Sequence, residues 1–126
     1  MPVRPHVISV SYDAGAAKSF DTALKNAGLC VSQLHSFQTA FIAIGHQSYA
    51  AVIIHPCVPQ EDVAILSVLA RWRSRQHRVV ALHMFPFETS PADIDLCVLD
   101  DPTTIVNCIS DLIQDKPSTL SARRTN

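Results

Sequence analysis

The stretch "YAAVIIHPCVP", residues 49–59, decides how the chain folds. From Tyr49 to Ile54 it is apolar or aromatic throughout, has strand length, and ends in the β-branched Val52, Ile53 and Ile54. A strand that does not alternate with polar residues is covered on both faces, the usual condition of a parallel sheet. His55 closes the run. Pro59, four residues on, suits the first turn of a helix, where its fixed φ is already helical and its missing N–H costs no bond. The helix it opens has Glu61 and Asp62 in its first turn and Arg73 and Arg75 near its end, each sign complementing the helix dipole. Its buried stripe is expected to be Ile65, Val68, Leu69 and Trp72.

The same strand-then-helix unit repeats on either side. Strands are predicted at 6–12 ("HVISVSY"), 30–35 ("CVSQLH"), 49–55, 78–84 ("RVVALHM") and 95–99 ("DLCVL"), the second being polar enough for an edge. Asp13 is placed to cap a helix with an apolar face of Ala16, Phe20, Ala23, Leu24 and Ala27, and Gly28 fits the left-handed position beyond its end. Ser36 opens a shorter helix bearing Phe37, Ala40, Phe41 and Ile44 and expected to stop at Gly45. Asp101-Pro102 starts the last, with Ile105, Ile109, Leu112 and Ile113 inward. Short connections between alternating elements mean right-handed crossovers and parallel pairing. The fold class expected is α/β: a flavodoxin-like, doubly wound, five-stranded parallel sheet of order 2-1-3-4-5, with ligands at the carboxyl ends of the strands. The helix between the fourth and fifth strands is expected to be missing or vestigial, because "FPFETSPADI" (85–94) has two prolines in ten residues.

The chain has 126 residues, 48% hydrophobic and 17% charged, enough for one compact core and unlike a disordered chain. One domain is read over 5–114, and the polar "DKPSTLSARRTN" of 115–126 as a flexible tail. A net charge of −1 gives no general attraction to nucleic acid or an anionic membrane, so neither is an expected partner. No apolar run reaches the roughly eighteen residues of a spanning helix, and the start "MPVRPHVISV" lacks the apolar core of a secretion signal; a cytoplasmic protein is expected. Cys30, Cys57, Cys97 and Cys108 show no CxxC spacing and are read as reduced, mostly buried thiols.

Over residues 5–114 the chain resembles the receiver domains of bacterial two-component response regulators. The resemblance rests on element order, on "NAGL" before the second strand, and on the turn from His55 to Pro59, which matches the family's Asp-x-x-x-Pro. It implies an aspartate that accepts a phosphoryl group from a histidine kinase, an acidic pair holding Mg²⁺, a hydroxyl and a lysine. Here the acceptor position holds His55, the acidic pair falls on Ser11 and Tyr12, the hydroxyl position on His83, and the lysine position on Leu99 or Asp100. Asp13, one place late, is better explained as a helix cap. The resemblance therefore implies a degenerate receiver without the phospho-acceptor aspartate, with no cofactor and no enzymatic activity.

Other chemistries are weaker. His35, His55 and His83 at strand ends, with Cys57 nearby, match no metal spacing, and no metal site is expected. Cys57 beside a histidine lacks an oxyanion loop or a triad acid, and the three glycines form no phosphate-cradling loop. The basic "ARWRSRQHR" (70–78) spreads its arginines around a helix and reads as a helix end rather than a nucleic-acid patch. "MFPF" (84–87) sets Phe85 and Phe87 where a covering helix is absent, a candidate interface. The function expected is a phosphorylation-independent pseudo-receiver, a protein-interaction module of phosphorelay signalling. Its partner would be a histidine kinase, another signalling protein, or a second copy. The alternative is a small-molecule or metal-binding sensor using the mouth lined by Ser11, Tyr12, His55 and His83.

Overall fold

A computed structural model describes residues 4–73, 78–85, 88–97 and 102–113. In chain order these form β1 (His6–Val10), α1 (Ala14–Asn26), β2 (Cys30–Leu34), α2 (Phe37–His46), β3 (Ala51–Ile54), α3 (Gln60–Arg73), β4 (Arg78–His83), β5 (Ile94–Cys97) and α4 (Pro102–Ile113). All five strands make one parallel sheet of order β2-β1-β3-β4-β5, the expected doubly wound arrangement. No described helix is long and apolar enough to cross a membrane. Gln114 and the tail at 115–126 lie outside the described residues.

Two apolar layers sandwich the sheet. On one face Val7, Ile53, Val80 and Leu82 meet Leu24 of α1 and Ile105, Val106 and Ile109 of α4. On the other Ile8, Val10, Val52, Ile54 and Val79 meet Ala40, Ala43 and Ile44 of α2 and Val63, Leu66 and Ala70 of α3. Every residue of β3 is buried, as a strand covered on both sides requires. Asp13 caps α1 through its side chain, accepting from the Ala16 N–H, and Ser36 caps α2 by accepting from Thr39. Gly28, at φ 94°, takes the left-handed turn after α1.

Four readings of the sequence need correction. The outward residues of α3 are Ile65, Val68 and Trp72, while Val63, Leu66, Ser67 and Ala70 face the sheet. This helix is apolar on both sides, and small residues let its axis approach the strands, so the largest side chains are left outside. On α1, Ala16 and Ala27 are exposed, and the buried positions are Ala17, Asp21 and Leu24. On α2, Phe41 is 42% exposed and Ala43 takes the inward place. Gly45 lies inside that helix, which runs on to His46, because nothing there requires positive φ.

Between β4 and β5 the described residues contain no helix. Polar contacts hold this link instead: Arg71 of α3 donates to Asp93 Oδ1 through Nε and Nη2, both at 3.1 Å, and Asp93 Oδ2 accepts from the Val79 N–H at 2.8 Å.

The orientation of α3 is open to a direct check. Leu66→Ala should cost about 2–5 kcal/mol in urea unfolding followed by circular dichroism, whereas Trp72→Ala in dilute solution should cost less than about 1 kcal/mol. The reverse order would mean the helix is rotated.

Candidate functional site

Side chains alternate along a strand, so Val7, Ser9 and Ser11 point to the α1 side of the sheet, as do Ala51, Ile53 and, one step past β3, His55. His55 is held there by its backbone, its N–H donating to Val10 O at 2.9 Å and its carbonyl accepting from Val58 at 3.1 Å. Asp21 of α1 comes down onto the same spot and is 1% exposed. Ser9 Oγ donates to Asp21 Oδ1 at 2.7 Å, and Gln33 Nε2 of β2 donates to Oδ2 at 3.0 Å. His55 Nε2 stands 2.9 Å from Ser9 Oγ and 3.6 Å from Asp21 Oδ1. Ser9 has one hydrogen, given to the carboxylate, so its oxygen accepts from His55, which places a proton on Nε2. The edge of Phe20 closes over the imidazole, ring centroids 5.5 Å apart at 90°.

Burial pushes the Asp21 carboxyl up, but the hydrogen bonds from His55, Ser9 and Gln33 and the charge of His55 outweigh it and hold the group below its ordinary value of 3.8. Asp21 is therefore an ionised carboxylate whose two oxygens are already spoken for.

The positions where a receiver would carry its acidic pair are tied up in the same manner. Ser11 is buried; its Oγ donates to Asp13 O at 2.7 Å and lies 3.3 Å from Cys57 Sγ. Tyr12 donates its hydroxyl to Asp62 Oδ2 at 2.6 Å, and burial together with that carboxylate raises its pKa above the usual phenol value. His35 donates to Ser11 O through Nδ1 at 2.9 Å.

His83 borders one cleft of about 150 Å³ with His55, yet its ring is engaged elsewhere. Nε2 donates to Asp95 Oδ1 at 2.7 Å, Nδ1 lies 3.4 Å from Glu88 Oε2, and Ser90 Oγ also donates to Asp95. The strand-end histidines are thus separated by their partners. Among the described residues no group of three His, Cys, Asp or Glu is placed to hold a metal ion. Phe85 is 65% exposed beside a half-exposed Met84, whereas Phe87, Leu99 and Asp100 lie outside the described residues.

A larger cavity of about 490 Å³ opens at the mouth, lined chiefly by Ala16, Phe20, Pro56, Leu82 and Met84, with Ser11, Ser19, His55 and Cys57 as its polar groups. Among the described residues no carboxylate lines it.

Sequence reasoning missed Asp21, Ser9, Gln33, Asp95 and Glu88. A signal existed for the first: Asp21 falls four residues after Ala17 and three before Leu24, on the inward stripe of α1. A carboxylate at a core position demands a buried donor, and the adjoining strands offered Ser9 and His55.

No protein-family model matches the sequence, and no curated protein matches it either. Solved structures do. A CheY-like receiver domain protein from Methanospirillum hungatei superposes with a TM-score of 0.72 at 11% identity, covering 90% of this chain and 96% of that one. The receiver domain of a Francisella response regulator gives 0.73 at 16% identity, covering 89% and 98%. An orphan response regulator of H. pylori gives 0.69 at 13%, covering 88% and 99%. The chain has the CheY-like receiver fold. At such identities the likeness is one of fold alone.

Removing the Asp21 charge tests the buried network. Asp21→Asn should cost about 1–3 kcal/mol at neutral pH, because the amide keeps one acceptor oxygen where the carboxylate offers one each to Ser9 and Gln33, and its NH2 is left facing a donor. A carboxyl held below its ordinary value of 3.8 in the folded state contributes stability that is full above that value and is lost as pH falls through the lowered one. The gap between wild type and variant, read from urea midpoints, should stand at pH 5 and close below about pH 4.

Proposed function

We propose that the chain is a phosphorylation-independent pseudo-receiver, a protein-interaction module of bacterial two-component signalling that works in the cytoplasm. One observation carries this reading. At the end of β3, where phosphotransfer needs a free carboxylate in line with phosphorus, stands an imidazole bound to Ser9 and turned toward Asp21.

The donor set does not fit Mg²⁺ either. That ion takes oxygen ligands in a strict octahedron, typically one or two carboxylates, and the matching positions supply Ser11 and Tyr12, both already hydrogen-bonded. Asp13, one place beyond that pair, turns one carboxylate oxygen to the Ala16 N–H, and Asp21 is buried behind His55. No metal, cofactor or catalytic step follows from these residues. The module's work then falls to its surfaces, including the exposed Phe85, and its partner is a signalling protein such as a histidine kinase, or a second copy.

The mouth cavity supports a second reading, a sensor of a small molecule. Its volume of about 490 Å³ lies within the range of ligand pockets, and its walls are mostly apolar with a few hydroxyls, a thiol and one imidazole. An uncharged aromatic or aliphatic compound matches that lining better than a phosphate.

Incubation with acetyl phosphate and Mg²⁺, or with beryllofluoride, should leave the intact mass and the amide spectrum unchanged. His55→Asp alone should remain unreactive, since it restores the acceptor without the acidic pair. A phosphorylated wild type overturns the first reading. Saturable amide shifts around Phe20 and Met84 on titration with indole would favour the second.

A further inference from the structure

The mouth cavity is poor in hydrogen-bond donors at its floor. Ser11, 1% exposed, gives its one hydrogen to Asp13 O at 2.7 Å, so its oxygen accepts from the Cys57 thiol 3.3 Å away and commits that hydrogen too. The cysteines are not mostly buried as the sequence suggested: Cys108 is, while Cys30 and Cys57 are exposed. His55 is 6% exposed, and its Nε2 hydrogen goes to Ser9, whose own hydrogen is on Asp21. An uncharged imidazole protonated on Nε2 keeps a bare lone pair on Nδ1. Among the described residues no group donates to that atom.

The imidazole lies on the α1 side of the sheet, where the cavity of about 490 Å³ is walled by Ala16 and Phe20. The smaller cleft that also touches His55 is bordered by Val58 and Val63, which pack on the other face. We infer that the larger cavity takes a small, uncharged, planar aromatic molecule with one N–H or O–H donor, of the indole or phenol class, and orients it by a hydrogen bond to His55 Nδ1. The inference rests on the small-molecule reading above and deepens it by naming the group the ligand must carry.

A buried acceptor without a donor is costly, so a ligand that supplies one is favoured over a ligand of equal shape that does not. An acceptor-only ligand would meet the lone pairs of Ser11 Oγ and His55 Nδ1 with no hydrogen between them. Ser19, exposed on α1, is the one lining hydroxyl whose hydrogen no group among the described residues holds. Charged ligands are worse served, because among the described residues neither a lysine, an arginine nor a carboxylate lines the cavity. Phe20, Pro56, Leu82 and Met84 offer ring, aliphatic and thioether surface to an aromatic body. The buried chain Asp21–Ser9–His55 thus has a consequence at the mouth: it fixes which ring nitrogen is free.

Indole and benzofuran separate the donor from the shape, since benzofuran carries an acceptor oxygen in place of the N–H of the same bicycle. With the full chain at pH 8, both should give saturable amide shifts around Phe20 and Met84, and indole should bind at least about tenfold more tightly. The nitrogen-15 resonance of His55 Nδ1, that of an unprotonated nitrogen in the free protein, should move upfield with indole and stay in place with benzofuran. Bound indole should slow alkylation of Cys57, read by peptide mass spectrometry, and leave Cys30 unaffected. His55→Phe keeps a planar ring and removes the acceptor, so the preference for indole should vanish.

Equal affinity for the two compounds, with Cys57 protected by both, overturns the inference and leaves the small-molecule reading standing. No saturable shift with either removes that reading and this one with it. An Nδ1 already protonated in the free chain, an Nδ1 resonance that indole does not move, or a folded His55→Phe that still prefers indole is equally fatal. Should His55→Phe lose its helical signal, the wild-type nitrogen-15 shift and the ratio of indole to benzofuran affinity decide alone.

Discussion

The arrangement depends on a buried carboxylate that must be answered. Moving an isolated ion from water into a protein interior costs several kcal/mol even after relaxation, so Asp21 is tolerable only while fully hydrogen-bonded. Its hydrogen-bond donors come from two strands, Ser9 of β1 and Gln33 of β2, and Ser9 in turn accepts from His55 at the end of β3, whose Nε2 stands 3.6 Å from the carboxylate. The network therefore ties α1 across half the sheet. Because Ser9 must give its hydrogen to the carboxylate, the imidazole is oriented through Nε2, and Phe20 packs its edge against the ring. In a receiver capable of phosphotransfer this position stays open and anionic. Here the chain's own groups satisfy it.

How far the fold was legible follows from the same contrast between apolar and polar burial. Uninterrupted runs such as Ala51–Ile54 announce a strand covered on both faces, and caps such as Asp13 and Ser36 announce helix starts, because both signals are local. Helix orientation is less local. In α3 large apolar residues lie on both sides, and the inward face is settled by which side can come close to β3 and β4. Ser67 and Ala70 permit that approach; Trp72 does not. The candidate site was legible only in part. His55, Ser11, Tyr12 and His83 were located by counting from strand ends, but their partners are distant in sequence, Asp21 lying 34 residues from His55. Seeing that pair demanded treating a charged residue on an inward stripe as a core member.

The short link between β4 and β5 imposes a second constraint. A parallel pair needs a crossover, normally covered by a helix, and here ten residues, 84–93, make the passage. Lacking helical packing, the link is fixed by polar groups: Arg71 grips Asp93, while Asp95 accepts from both His83 and Ser90. The same economy leaves Met84 exposed at the rim of the mouth cavity and Phe85 exposed beside the smaller cleft. Loss of a covering element thus creates both the exposed aromatic and part of the apolar cup beside it.

These two constraints act on opposite ends of what a signalling domain needs. A receiver transmits by coupling charge chemistry at the strand ends to the shape of an outer face, and such coupling requires a site whose charge can change. At the end of β3 the His55 imidazole is held through Nε2, and the Asp21 carboxylate behind it is occupied by Ser9 and Gln33. On the reading proposed above, the conformational equilibrium has no covalent input to bias it. What a domain so read offers is a fixed shape, and among the described residues the features least explained by folding alone are the outward apolar ones. Trp72, Val68 and Ile65 lie on the side of α3 farthest from the sheet, so core packing gives no reason for them.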